Sequence, residues 1–372
     1  MRLGSKADRD ALFLWVATRL GIVVIATVGY GVLSAGRPPV ALLQRLEHWD
    51  TRLLIEIAVH GYDGDPAQEP DPGLPAFFPG MPLLLRLVHL ALPNWVLAGL
   101  LISLVAGAVA VVALARLGEY EGPAGTGRRA VLGLLLAPPA VFLFAGYSEA
   151  LFLGFAIPAW LAARKGNWWA ASLLAAGASC VRITGLFLAI ALIVEYFTGL
   201  WRKRGTGVRR WWHGGLLIVP FLPLVAYSAY QFGRTGDWLE WKRAQEAGWG
   251  RNLVWPWESF ATTWDSAFAG NQFSWPFRLE IAAAVIGVGF TLWLLIARRW
   301  SEFVYVGLQV AALVLSSYYL SIPRSTLLWW PLWLALGRLA VRRPRLFVIY
   351  CVLAAPLMVV NAIAYLNGSW AG

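Results

Sequence analysis

The chain has 372 residues, of which 59% are apolar and only 14% charged, and its mean hydropathy is +0.61. That is more apolar surface than a water-soluble core of this size can hide, so a soluble domain is excluded and an all-α polytopic membrane protein is expected. The formal net charge of +11 invites a nucleic-acid reading, but the basic residues fall in short clusters between apolar runs; positive-inside topology accounts for them, and no nucleic acid is expected as a partner.

Arg2, Lys6 and Arg9 precede an apolar run at residues 12–33. At about 1.5 Å per residue this run reaches ~33 Å, enough to cross a bilayer and longer than the apolar core of a secretory signal. It reads as an uncleaved anchor with a cytoplasmic N-terminus.

Residues 34–94 follow as a long loop that holds His48-Trp49-Asp50, Gly61-Tyr62-Asp63 and Ala76-Phe77-Phe78-Pro79-Gly80-Met81-Pro82. Leu46, Trp49, Leu53 and Ile57 recur at helical spacing, with Asp50, Arg52 and Glu56 on other faces, which predicts an amphipathic helix over 46–59 lying in the membrane interface. Two readings of Asp50 stand at this point: a surface or capping carboxylate, and a functional group held at headgroup level. Asp63-Gly64-Asp65 with Glu69 and Asp71 lacks the spacing of a calcium loop or of a metal-binding Asp-x-Asp, so a solvated acidic loop is expected and no metal site. Residues 78–92 are broken by Pro79 and Pro82 and carry Arg86 and His89. About 15 residues are too few to span, so a re-entrant or interfacial helix is predicted there.

Later spans are predicted at 95–114, 130–144, 150–163, 168–180, 183–197, 214–230, 279–297, 303–320, 327–339 and 346–365. With the first they make about eleven, and every multi-basic cluster then falls on the cytoplasmic side, with the C-terminus outside. Those clusters are Arg116, Arg128 and Arg129; Arg164 and Lys165; Arg202, Lys203, Arg204, Arg209 and Arg210; Arg298 and Arg299; and Arg342, Arg343 and Arg345. The expected organisation is one integral-membrane domain over 1–372: the first helix at 12–33, an extracytoplasmic active-site loop at 34–94, central spans over 95–230, a second extracytoplasmic loop at 231–277 and C-terminal spans over 278–372. The expected location is the plasma membrane, with the chemistry on the extracytoplasmic face.

Three charged residues stand in short outer turns among apolar runs: Glu149 after Tyr147-Ser148, Arg182, and Arg324 beside Pro323. A charge at membrane depth costs on the order of 2.5–3.5 kcal/mol on insertion scales, so it meets a partner, a cavity or a ligand. Two readings are open for Glu149 and Arg182, an ion pair between helices and a site in which the planar Arg fork binds phosphate. The second outer loop adds Gln245, Trp249 and Arg251, polar and aromatic groups suited to sugar hydroxyls, sugar faces or phosphate. Of the histidines only His48, two residues from Asp50, is a site candidate. Cys180 and Cys351 lie in apolar runs and read as small core residues.

The ordered set of Trp49-Asp50, Gly61-Tyr62, Ala76-Phe77-Phe78-Pro79 with Pro82, Tyr147-Ser148-Glu149, Arg182 with Gly185, Gln245 with Trp249-Gly250-Arg251, and Pro323-Arg324 with Pro331 resembles the PIG-V type mannosyltransferases. These form the GPI mannosyltransferase II family of the GT-C superfamily. The resemblance covers nearly the whole chain, and it departs from the eukaryotic pattern at Ile183-Thr184, usually Ser-Asn, and at Ser325, usually Tyr. Its abundant Ala, Gly, Arg and Trp and its compact loops suggest a bacterial homologue.

The resemblance implies a GT-C-like transferase that takes mannose from a polyprenyl-phosphate carrier with inversion, without a bound metal or other cofactor, and with the first-loop carboxylate, Asp50, as the catalytic residue. The partners expected are a lipid-linked sugar donor, a glycolipid acceptor and membrane lipids. A lipid-phosphate sugar already has a good leaving group, so the chemistry needs a base for the acceptor hydroxyl and cations for the departing phosphate. Asp50 is the expected base, Arg182 and Arg324 the expected phosphate ligands, and Glu149, His48, Tyr147, Gln245, Trp249 and Arg251 the groups that bind the acceptor or support the reacting ones. The alternative from another class is a transporter or flippase for lipid-linked sugars.

Overall fold

The computed structural model describes residues 4–29, 41–201 and 211–371. The outer end of the first predicted span, residues 30–33, the start of the first loop, 34–40, and the basic cluster at 202–210 lie outside the described residues. The helices, in chain order, are α1 Lys6–Val24, α2 Asp50–His60, α3 Gly80–His89, α4 Trp95–Glu121, α5 Thr126–Leu135, α6 Ser148–Arg164, α7 Trp168–Val181, α8 Thr184–Trp201, α9 Leu222–Thr235, α10 Glu240–Trp249, α11 Pro256–Phe268, α12 Ser274–Ile296, α13 Trp300–Val314, α14 Ile322–Ser325, α15 Trp330–Arg342 and α16 Pro344–Leu366. No strand occurs among the described residues, so the protein is all-α.

Local sequence explains where several of these begin. The Ser5 hydroxyl accepts from the Asp8 amide at 3.1 Å and the Asp8 carboxylate from the Ser5 amide at 3.2 Å, a reciprocal cap that starts α1. Asn94 and Asn167 cap α4 and α7 by accepting from the amides of Leu97 and Ala170. Proline explains the main departures from the predicted spans. Pro138 and Pro139, which lack amide donors, divide the segment at 130–144 into α5 and a 3₁₀ turn, Pro138–Leu143. The segment at 214–230 is likewise split, into a 3₁₀ run Trp211–Phe221 and α9. Pro331 sits in the first turn of α15 and sets its start at Trp330, three residues later than expected at 327. The run expected at 303–320 ends as helix at Val314, because the residues that follow bond to another loop. The amphipathic helix expected over 46–59 begins only at Asp50, since Trp49 takes a left-handed conformation with φ of 51°.

Five helical stretches among the described residues are long and apolar enough to cross a membrane: Lys6–Val28, Trp95–Glu121, His213–Thr235, Ser274–Ile296 and Pro344–Leu366. Trp168–Val181, Thr184–Gly199 and Trp300–Val314 are shorter apolar helices. On α16 the exposed side chains Ile349, Val352, Leu353 and Val360 are all apolar, a face suited to lipid and not to water. The chain is a multi-pass membrane protein. The segment 78–92 forms α3, whose 10 residues reach about 15 Å, half a bilayer core.

Two compact units are formed. The first is built from Met1–Arg52, Val88–Pro158 and Leu327–Gly372. Its helices approach through glycine: a Cβ on Gly127 would stand 2.1 Å from the Ala115 carbonyl oxygen, and one on Gly118 2.5 Å from the Gly127 Cα. A Cβ on Gly337 would stand 2.6 Å from the Thr126 carbonyl oxygen, so α4, α5 and α15 meet backbone to backbone. Gly127→Ala therefore forces main chains apart, and an overpacking cost of about 1–3 kcal/mol is expected. A lowered unfolding midpoint of the detergent-solubilised variant would register it; an unchanged midpoint would show that the crossing yields freely. Two ion pairs tie α4 to its neighbours, Asp8 of α1 with Arg116 at 2.7 Å and Arg338 of α15 with Glu121 at 2.7 Å.

The second unit comprises Leu53–Leu87 and Ala159–Thr326. Gly185 lets the start of α8 press on α7, where an added Cβ would lie 2.3 Å from the Ser179 Cα. Gly80 does the same for α3, at 2.8 Å from the Cys180 carbonyl oxygen. Arg164 at the end of α6 joins Glu195 of α8 at 2.8 Å and Glu302 of α13 at 2.9 Å, and the Ser301 hydroxyl donates to Glu195 at 2.7 Å.

Candidate active site

In the first unit the site candidates gather around the turn that leads into α2. Trp49 is a left-handed non-glycine residue, a conformation that costs on the order of 1 kcal/mol and persists only where neighbours hold it. Those neighbours are identifiable. Tyr147 donates its hydroxyl to the His48 carbonyl at 3.3 Å, Tyr365 to the Leu46 carbonyl at 3.0 Å, and Thr51 to the Ala145 carbonyl at 2.8 Å. Phe142, Tyr147 and Tyr365 pack as an aromatic trio with ring centroids 4.9–5.8 Å apart. Trp370 meets Trp49 edge-on at 5.4 Å. Asp50, half-buried, is thus the first residue of a helix whose start is pinned from the side of α6 and from the side of α16.

His48 lies edge-on to Tyr365 at 5.9 Å. Burial holds its imidazole below the usual range, opposed by the Glu47 charge and a hydrogen bond to the Leu366 backbone. Glu149, only 1% exposed, stands in the first turn of α6 directly after the buried Tyr147 and Ser148. Gly146 makes the bend before it with φ of 75°, a conformation open to glycine.

Leu53–Leu87 of the first loop belong to the second unit. Arg86 of α3 donates to the carbonyls of Ala58 and Ile57, capping the last turn of α2 and closing the two helices into a hairpin. Asp63, Arg234, Gln231 and Tyr227 form a relay of side chains that ends on the loop backbone: Tyr227 donates to the Pro75 carbonyl at 2.7 Å and Gln231 to the Tyr227 hydroxyl at 2.7 Å. Tyr62 donates to the Phe77 carbonyl at 2.9 Å. Burial beside Tyr227 pushes the Tyr62 hydroxyl well above the usual phenol range, so it serves as a donor and not as an acid. Asp65 and Asp71 accept from nearby amides, of Ala67 and Gly73. The carbonyls of Pro75 and Phe77 are thereby tied to Tyr227 of α9 and to Tyr62.

Arg182 follows α7 in extended conformation, half-buried, within electrostatic reach of the buried Tyr305. Gln245 and Trp249 lie on α10, half-buried, with Trp249 edge-on to Phe77 at 5.7 Å. The residues after α10 zip against those after α13: the Val254 amide donates to the Leu315 carbonyl at 2.9 Å, the Tyr318 hydroxyl to the Trp249 carbonyl at 2.8 Å, and Arg251 to the Leu320 carbonyl at 2.9 Å. Arg324 lies four residues beyond Leu320, so the fold brings Trp249, Arg251 and Arg324 into one neighbourhood. His48, Tyr147 and the Asp50 turn make another, in the first unit.

Sequence reasoning missed Thr51, Tyr365, Tyr227, Gln231, Arg234, Tyr318 and Glu280. Only Glu280 carried a signal of the kind applied to Glu149 and Arg182, a charge beside an apolar run.

The profile of the Mannosyltransferase (PIG-V) family matches residues 40–242, a range that includes Asp50, Glu149 and Arg182 and stops before Gln245. Proteins named GPI alpha-1,6-mannosyltransferase 2 are similar over part of the chain. The Mus musculus protein is 36% identical over 171 residues, 41% of this chain and 32% of its own length. The Homo sapiens protein is 36% identical over 157 residues, 39% of this chain and 30% of its own. The match thus spans about a third of the length of these curated relatives. No solved structure matches the chain. With more than half of its residues inside the family match, the chain belongs to the PIG-V mannosyltransferase family.

Proposed function

We propose that the protein is an inverting mannosyltransferase of GT-C type that moves mannose from a polyprenyl-phosphate carrier to a hydroxyl of a glycolipid on the extracytoplasmic face of the plasma membrane. The observation that carries this reading is the family match over residues 40–242, taken with the Trp49–Asp50 turn inside it, whose strained conformation is held by Tyr147 and Tyr365. In the proposed step the Asp50 carboxylate takes the proton of the acceptor hydroxyl as its oxygen attacks the anomeric carbon. The bond from that carbon to the phosphate oxygen breaks, and the electron pair leaves with polyprenyl phosphate. Arg182 and Arg324 balance the charge that builds on the departing phosphate, for which a planar guanidinium offers paired donors. Glu149, His48, Tyr147, Gln245, Trp249 and Arg251 bind the acceptor or support the reacting groups, and no metal takes part.

The topology that accompanies this reading is a single membrane domain of about eleven spans with the N-terminus in and the C-terminus out, supported by the one-sided basic clusters. The relatives' name supports a glycolipid acceptor. Its departures at Ile183-Thr184 and Ser325 and its compact loops favour a bacterial glycolipid over a GPI precursor. Purified protein in nanodiscs, given polyprenyl-phosphate-mannose and extracted membrane glycolipids, is expected to yield a mannosylated lipid by mass spectrometry. Failure to form product with any lipid, together with movement of the carrier across liposomes, would replace the transferase by a flippase.

A further inference from the structure

Glu280 sits in the apolar helix α12 and is only 2% exposed. A carboxylate placed there needs a compensating role. Its two oxygens accept from consecutive backbone amides, those of Ser321 at 2.7 Å and Ile322 at 2.8 Å. These amides begin a tight turn in which Ser321 is left-handed, with φ of 62°, and which leads through Pro323 into Arg324. The residue before the turn, Leu320, gives its carbonyl to Arg251. Both guanidiniums, of Arg251 and of Arg324, lie within electrostatic reach of the Glu280 carboxylate. One buried acid therefore holds the short backbone segment to which one arginine is bonded and from which the other projects, and it offsets part of their mutual repulsion.

Resting on the transferase reading above, we infer that Glu280 is a positioning residue that sets Arg251 and Arg324 together on the phosphate of the lipid-linked donor. Arg251 thereby joins the phosphate ligands and leaves the acceptor side. The role requires the carboxylate and not merely its volume: an amide in its place turns one acceptor into a donor facing a backbone amide, and the left-handed turn loses half of its restraint.

The test uses full-length protein in nanodiscs and two readouts, binding of radiolabelled polyprenyl phosphate and the transfer assay. Glu280→Gln is expected to weaken polyprenyl-phosphate binding and to raise the donor KM by about tenfold, with the acceptor KM unchanged. Combined with Arg324→Lys the loss should be less than the product of the two single losses, because both act through one turn. If Glu280→Gln does not fold, Glu280→Asp, which keeps the charge and shortens the reach, is measured in the same way. Unaltered carrier binding in a folded variant, or equal rises in donor and acceptor KM, would overturn the positioning role. A wild type that binds carrier more tightly than Glu280→Gln but transfers no mannose would leave the positioning role standing and sink the transferase reading.

Discussion

Asp50→Asn is expected to abolish mannosyl transfer while leaving the protein folded. The side chains have nearly the same volume, and Asn serves at the start of a helix about as well as Asp, so α2 should begin where it does now. The contacts that hold the turn, from Tyr147, Tyr365 and Thr51, go to backbone carbonyls, which the substitution leaves in place. What the amide lacks is basicity. A positioned general base contributes typically about 10²–10⁴-fold, and a loss in that range is the expected result. The measurement is mannosylated lipid formed per unit of folded protein, with the unfolding midpoint as control. A variant that retained more than about a tenth of the wild-type rate would remove Asp50 from the role of base.

Arg164→Ala is expected to give the largest loss of stability. Arg164 stands between Glu195 and Glu302, whose side chains are 10% and 2% exposed, so its removal takes a cation from both carboxylates among the ends of α6, α8 and α13. Ser301 and Arg299 remain as partners, of Glu195 and Glu302 respectively. Breaking a buried ion pair from one side costs about 3–5 kcal/mol, since the charge left behind stays desolvated. Unfolding of the solubilised variant by heat or denaturant would measure it. Arg164→Ala combined with Glu195→Gln should recover part of the loss, because the second change removes the charge that keeps a hydroxyl and not a cation as its partner. A single variant as stable as wild type would mean that water or another cation reaches these carboxylates.

The membrane class, the all-α composition and the approximate positions of the long apolar helices were legible in the sequence, because each depends on apolar runs, prolines and caps that act over a few residues; α10 and α11, inside the stretch 231–277 expected to be a loop, were not. Pro79 and Pro82 with Arg86 correctly marked residues 78–92 as too short and too polar to span, and the structure forms the 10-residue α3 there. The start of α2 was less legible. The 3.6-residue pattern runs through Trp49, but Tyr147 and Tyr365 hold the chain in a left-handed turn at that residue, and they lie 99 and 319 residues from the carbonyls they bind.

The same division runs through the candidate site. His48, Trp49, Asp50, Glu149, Arg182 and Arg324 stood out because a charged or polar side chain in an apolar chain is conspicuous on its own. What holds them did not: Thr51, Tyr365, the Asp63–Arg234–Gln231–Tyr227 relay and Glu280 act by hydrogen bonds to distant side chains and backbone groups. A carbonyl or amide at the receiving end is the same in every residue, so such a bond leaves no mark on the partner's sequence. By itself the sequence determined the class of the protein, its helices and the groups able to do chemistry. The tertiary structure alone decided that Asp50 begins a helix and that the Glu280 oxygens meet the Ser321 and Ile322 amides, because both depend on contacts between residues far apart in the chain.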